Sequence, residues 1–180
     1  MKTTLITGAK GFIGSALMEH LDAVGITDDV RDKEALRPHF KHAEFVIHAA
    51  GQVKDIYNEE ACFTANVNGT SNVIELCIEY GCKLIHLSST ARQAAYGRSK
   101  QAAQQLVADA KGLKAIVLRL CPVVRRDDPL MKWKARYPLE DLMIDIGLII
   151  KNHDFKEYKL VDYKRIEKPY HEKSPDIHKS

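Results

Sequence analysis

Short continuous apolar runs alternate with longer stretches of helical spacing over the first 124 residues. Residues 3–7 form a short apolar run that reads as a buried strand. Residues 12–21 place Ile13, Leu17 and Leu21 four residues apart, on one helical face. Residues 24–27 read as a brief strand, and 34–40 as a short helix that Pro38 stops or bends. Residues 44–49 are a further apolar strand. A long helical stretch covers 58–80, with Phe63, Val67, Val73, Ile74 and Cys77 facing inward and Gly81 in the usual C-terminal position. Residues 83–87 read as a strand, 94–111 as a helix closed by Gly112, and 114–120 as a strand. The unbroken run Ala115, Ile116, Val117, Leu118 suits a parallel strand covered on both faces. This alternation predicts an α/β protein with a doubly wound parallel sheet and right-handed crossovers.

Beyond Val124 the pattern weakens. Residues 138–150 read as one more helix with proline at its start, and 158–161 are strand-like. Residues 152–180 are highly charged, and a solvated tail carrying His153, His171 and His178 is expected there rather than a ligand cluster. The expected division is one domain over 1–150 and a charged tail over 151–180.

Composition narrows the classes without changing this picture. The 180 residues suffice for one ordinary domain, and a net charge of +3 gives no case for nucleic acid or an anionic membrane as partner. No apolar run approaches the ~20 residues of a membrane helix. Lys2 is followed by a strand-like run that breaks at Gly8, unlike a signal peptide. The four cysteines form no CxxC pair, so reduced thiols in a cytoplasmic protein are expected, with no metal site.

Candidate chemistry begins at residues 5–14, which run strand, loop, helix with glycines at 8, 11 and 14. A pyrophosphate needs backbone N–H donors at a helix N-terminus and a loop that turns without β-carbons in the way. Gly8 would make the turn, Gly11 would admit the phosphate, and Gly14 would let helix pack on strand. Further on, Tyr96 and Lys100 lie four residues apart, on one helical face. A nearby cation lowers a phenol's pKa, and such a tyrosine is a general acid/base for interconverting alcohol and ketone. The pair opens a helix just after a strand that ends at Ser88, Ser89 and Thr90.

In order along residues 1–125, the chain resembles the extended short-chain dehydrogenase/reductase family, the NAD-dependent epimerase/dehydratases. The features are the TGxxGxxG loop of residues 7–14, Asp29-Val30-Arg31-Asp32, Val46-Ile47-His48-Ala49-Ala50-Gly51, Asn66-Val67-Asn68-Gly69-Thr70, Leu87-Ser88-Ser89-Thr90, residues 96–100 and Leu118-Arg119. The resemblance implies a Rossmann-type fold binding NAD or NADP. It places Gly8, Lys10, Gly11, Phe12, Ile13 and Gly14 at the phosphates and Asp29 and Val30 beside the adenine. Ala49, Ala50 and Gly51 fall against the ribose and phosphates, and Pro122 and Val123 beside the carboxamide. Asn66 would support the active site, Thr90 would bond the substrate oxygen, and Tyr96 would be the acid/base. Lys100 would hold the nicotinamide ribose and tune Tyr96. His48 is expected to be a packed strand residue.

Three family segments look absent, so the fold is expected to be truncated. Only residues 22–28 join the first helix to the Asp-Val-Arg-Asp segment. Either 24–27 stands in for a lost strand with Asp28 as the ribose ligand, or that ligand is missing. Thr90 and Tyr96 are only six apart, and most of the C-terminal substrate domain has no counterpart. The exposed apolar surface left behind would favour a homodimer through helices 58–80 and 94–111. The expected activity is an NAD(P)-dependent oxidoreductase or epimerase acting on a sugar nucleotide or other small carbonyl or alcohol compound. The alternative is a non-catalytic dinucleotide-binding regulatory module.

Overall fold

The computed structural model describes residues 3–129, 136–152, 155 and 159–163. The elements in chain order are β1 (Thr3–Thr7), α1 (Phe12–His20), β2 (Val24–Ile26), α2 (Lys33–Phe40), β3 (Ala43–His48), α3 (Glu59–Phe63), α4 (Gly69–Tyr80), β4 (Lys83–Ser89), α5 (Ala94–Asp109), β5 (Lys114–Leu120), β6 (Val123–Val124), β7 (Tyr137–Pro138), α6 (Leu139–Asn152) and β8 (Lys159–Tyr163). One π-helical turn, Thr64–Asn68, joins α3 to α4 within the stretch expected as a single helix.

Six strands form one parallel sheet in the order β2-β1-β3-β4-β5-β8. Period-two alternation divides each strand between the two faces. Ile47 and Ile85 point to the layer made with α1 and α6, where Leu17, Leu142 and Ile146 are fully buried. Val46 and Leu84 point to the layer made with α2, α4 and α5, where Leu36, Phe40 and Leu76 are fully buried. This is the Rossmann-type layout expected from the alternation. Among the described residues β2 is the edge strand, so the chain passes from β2 straight into residues 27–32.

The helix ends obey local chemistry. The Asp32 carboxylate accepts from the amides of Glu34 and Ala35 at the start of α2. The Asn58 side chain does the same for Ala61 at α3. Gly81 at φ +70° ends α4, and Cys82 N–H donates back to Cys77 O at 2.8 Å. Pro38 sits two residues before the end of α2, where its missing N–H costs little continuation. Pro138 lies in β7 rather than in α6, because Tyr137–Pro138 pairs with Val123–Val124.

Part of the expected tail belongs to the fold. Phe155 is buried against Phe45, and β8 pairs with β5 in register from Ile116 to Leu120. Without β8 the apolar strand β5 would present an open edge, a feature folded proteins cover. His153, His171 and His178 lie outside the described residues. No described helix is long and apolar enough to cross a membrane.

The short link between β4 and α5 is strained. Ala94, at φ +58°, is the non-glycine residue held in the left-handed region among the described residues. That conformation costs an L-residue about 1–2 kcal/mol, and glycine gives back roughly half through its freer unfolded chain. Ala94→Gly is therefore expected to stabilise the protein by about 0.5–1 kcal/mol. A urea midpoint below that of the native chain, at unchanged slope, would refute the strain.

Candidate functional site

The sheet changes direction of strand order between β1 and β3, and this switch point opens a crevice at the carboxyl ends of the strands. Two cavities of about 430 and 420 Å³ fill it. Both are lined by Ala49, Ala50 and Gly51 at the end of β3, so they form one continuous trough. One end takes in Gly8, Lys10, Gly11, Asp28, Asp29 and Val30. The other takes in Phe12, Ile13, Thr90, Tyr96, Lys100, Pro122 and Val123. Of the expected site residues, Gly14 is buried beneath the loop and Asn66 stands behind the wall.

At the first end the backbone comes too close for side chains. Gly8 has φ +68°, and a β-carbon on it would lie 2.6 Å from Ala50 Cα. A β-carbon on Gly14 would lie 2.1 Å from the Gly8 carbonyl oxygen. Gly11 heads α1, its N–H donating to Gly8 O at 2.8 Å. The first turn of α1 has neither a side-chain cap nor an acidic residue. Its first turn therefore begins at the trough without a side-chain acceptor for its leading amides, the arrangement an anion cradle needs. The dinucleotide that the loop implies fits here, since its pyrophosphate would occupy the space that β-carbons would close.

Asp28 follows β2 by two residues, lines the trough and pairs with His39 at 3.1 Å. Asp29 turns to Arg31, accepting its backbone N–H at 2.9 Å and its guanidinium. These bonds hold the exposed Asp29 carboxyl down to about 2. Val30 is buried, and a β-carbon on Gly69 of α4 would lie 2.5 Å from its Cγ2. Thus β2 carries the Asp28 segment to the trough directly, without an intervening strand.

At the other end Tyr96 and Lys100, one turn apart on α5, both line the cavity with Ser89 and Thr90 from the end of β4. Thr90 is held by its N–H donating to Leu120 O at 2.8 Å. Hydroxyl, phenol and ammonium therefore share one cavity despite the six-residue link, as acid/base chemistry on a carbonyl or alcohol requires.

Residues 4–127 match the NAD dependent epimerase/dehydratase family. The chain belongs to that family. An inverting UDP-N-acetylglucosamine 4,6-dehydratase of Campylobacter jejuni is 37% identical over 93 residues, 47% of this chain and 28% of the dehydratase. The match thus spans well under half of that relative's length. A dTDP-4-dehydrorhamnose reductase from Bacillus anthracis, solved with NADP, superposes with a TM-score of 0.76 at 18% identity over 90% of this chain and 74% of the reductase. The Bordetella bronchiseptica enzyme WbmG, solved with NAD and UDP, gives 0.74 at 19% identity over 90% and 72%. At such identities these likenesses speak for the fold.

In this epimerase/dehydratase chain a buried polar network underlies the trough. Thr7 Oγ1 lies 2.7 Å from His48 Nδ1, and His48 Nε2 lies 3.0 Å from Thr70 Oγ1, which donates to Asn66 O at 2.6 Å. Thr70 spends its proton on Asn66, so it accepts from Nε2–H, and Nδ1 accepts from Thr7. The bonds therefore assign His48 as neutral and protonated on Nε2. Burial agrees, pushing its pKa down to about 3, with the Lys100 charge adding to the fall. His48 is thus a packed strand residue, as expected, but also a link in the chain. Asn66, in the π turn, accepts from Gln52 N–H at 2.7 Å and donates to Ser99 Oγ at 2.8 Å; Ser99 donates to Tyr96 O at 2.9 Å. The network ties β1, β3, α4 and the first turn of α5 into one floor.

One expectation is corrected. Tyr96 is not lowered by Lys100: burial raises the phenol, the Ser89 hydroxyl opposes that rise, and Cys62 adds to it. Lys100 is sunk beside Gly51 and Asn66 and is not among the groups that shift the phenol. Ser89 is a further hydroxyl at the phenol, beside Thr90. The Ser-Ser-Thr run offers three hydroxyls, and spacing does not say which faces the phenol.

Burial pushes Lys100 down from 10.5 to about 8. The folded state then binds its proton more weakly than the unfolded state. The resulting penalty, about 3 kcal/mol at 1.36 kcal/mol per unit, is full below pH 8 and fades as pH rises to 10.5. The stability advantage of Lys100→Met over the native chain is expected to shrink by about that amount across this window. A difference that stays flat from pH 7 to 10.5 in paired denaturant titrations would show Lys100 to be solvated.

Proposed function

We propose that the chain binds NAD or NADP along the trough and carries out hydride-transfer chemistry on a small carbonyl or alcohol compound, a sugar nucleotide or similar. Tyr96 is the acid/base. The observation that supports this is the sharing of one trough by the glycine cradle and the Ser89, Thr90, Tyr96, Lys100 group. When bound, the nicotinamide supplies the hydride donor or acceptor.

The chain's own residues bind, orient and move the proton. The leading amides of α1 hold the pyrophosphate, and Asp28 takes the adenosine ribose. Lys100 holds the second ribose, and Pro122 and Val123 lie along the carboxamide. Ser89 and Thr90 bond the substrate oxygen, and Tyr96 gives or takes its proton at the phenolic oxygen. Phe12, Leu120 and Val123 keep water from the reacting carbon. A homodimer through α4 and α5 belongs to the same reading, with Ile78 and Leu106 exposed on those helices.

A second reading, a dinucleotide-binding module without turnover, draws on the open wall. Val53 lines the reaction cavity yet is 58% exposed, and nearby Tyr57 is 79% exposed. Tyr96→Phe separates the two. It is expected to leave NADH binding, read by fluorescence, unchanged and to lower turnover about 10²–10⁴-fold. Turnover that survives the substitution would remove Tyr96 from the chemistry, and a native chain without turnover on any nucleotide sugar would favour the module.

The cofactor's phosphate preference is carried by Asp28, a trough carboxylate not tied up with Arg31 as Asp29 is. Asp28→Ala is expected to weaken NADH about tenfold or more while leaving NADPH unchanged or tighter. Equal weakening of both cofactors would show that Asp28 serves only His39.

A further inference from the structure

Thr90 and Ser89 line two hollows, not one. Behind the reaction cavity, a space of about 350 Å³ lies between the ends of β4 and β5 and the outer side of α5. Its other lining residues are Arg92, Gln101, Gln104, Gln105 and Arg119, every one polar, with no carboxylate among them. The reaction cavity is the reverse: apart from the hydroxyls, Tyr96 and Lys100, its wall is built of apolar side chains and backbone such as Phe12, Val53, Leu120 and Val123.

The polar groups are partly committed and partly open. Gln104 takes the Ser88 hydroxyl on its carboxamide oxygen at 3.0 Å, which leaves its NH₂ to donate. Gln101 donates to Ala91 O at 3.2 Å, which fixes the link behind it. Arg119 on β5 is engaged in interactions of its own. Arg92 forms neither an ion pair nor a hydrogen bond to a described residue and stands exposed at the rim. Its backbone is not free to wander. A β-carbon on Gly97 would lie 2.9 Å from Arg92 C and 3.0 Å from its N, so the link is pressed onto α5. The strained Ala94 lies two residues further on.

We propose that this hollow is a substrate subsite for an anionic group, phosphate or carboxylate, held by the Arg92 guanidinium and the Gln104 amide. The substrate's reacting carbon sits at Tyr96, and its charged end crosses the Ser89–Thr90 ridge into the hollow. This rests on the reading of the Tyr96 cavity as the reaction site. Arginine presents paired donors that match either oxyanion, and the absence of a described carboxylate in the lining leaves that charge for the ligand.

The test uses UDP and D-glucuronate as separate probes, titrated by calorimetry into the full chain with NADH in excess, and NADH alone by fluorescence. Arg92 lies outside the groups assigned to cofactor or proton transfer, so Arg92→Gln is expected to leave NADH binding unchanged. It should weaken UDP, glucuronate or both at least tenfold, with Arg92→Lys restoring part of the loss. The probe that depends on Arg92 tells whether phosphate or carboxylate is the native group. Equal binding of both probes to the native chain and Arg92→Gln, or binding of neither, overturns the subsite. Failure of NADH to bind the native chain overturns the cofactor reading instead, and the Arg92 comparison still stands on the calorimetry.

Discussion

Three backbones meet where β1 ends, and their contact fixes the site. The Gly8 carbonyl sits where a β-carbon on Gly14 would be, and the Gly8 α-carbon sits against Ala50. Residues with side chains at 8 or 14 would push α1 off the sheet or part β1 from the end of β3. Close packing here does two jobs at once. It aims the first turn of α1 at the carboxyl edge, and it brings the end of β3 alongside as the shared wall of both cavities. The anion cradle is a consequence of how tightly helix and strand pack, since uncapped amides point into the crevice only if the helix starts there.

A second layer of constraint is polar and buried. The run from Thr7 through His48, Thr70 and Asn66 to Ser99 passes from β1 to α5 with each donor matched to an acceptor. In a low-dielectric interior such a matched chain rigidifies the groups it joins, while an unmatched member would be costly. His86 beside it is unmatched: both ring nitrogens are buried without a partner among the described residues, and its ring lies 5.4 Å from that of His48. Neutrality makes this tolerable, because burial and the nearby Lys100 charge drive its pKa far below the ordinary range. The floor of the site is thus built from uncharged imidazoles beneath one buried ammonium.

The parts of this arrangement that could be read from the chain are those with a local cause. Gly8 and Gly14 stand where no other residue fits, the β-α alternation records which faces are buried, and Gly81 marks a helix end by its left-handed backbone. Causes spread over the fold left no such mark. The π turn at Thr64–Asn68 adds its irregularity inside a stretch whose apolar spacing still looks helical. Residues 158–161 read as strand-like, but only the open edge of β5 says that β8 joins the sheet there. The Tyr96 phenol is raised because the whole cavity desolvates it, an effect that outweighs what a cation four residues along suggests. Ser89 and Thr90 both line the cavity, and only Ser89 bears on the Tyr96 phenol, a distinction that adjacent positions in the chain do not reveal.

Lys100 shows where the site stands to gain most from a ligand. Its side chain is 5% exposed, and it makes no hydrogen bond or ion pair with a described residue. Yet it lines the cavity, and Asn66 close by already spends its amide on Gln52 and Ser99. A largely buried ammonium with no acceptor among the described residues is a standing cost. Hydroxyl or carbonyl oxygens brought by a ligand would remove that cost, so part of the free energy of binding is already laid up in the fold at this position. The same reasoning separates the two ends of the trough. On the proposed reading, the cradle would offer neutral amide dipoles to a doubly charged pyrophosphate, and Lys100 a full charge to neutral oxygens. Each end supplies what the other lacks, and a ligand that is anionic in its middle and hydroxylated at its reacting end matches both.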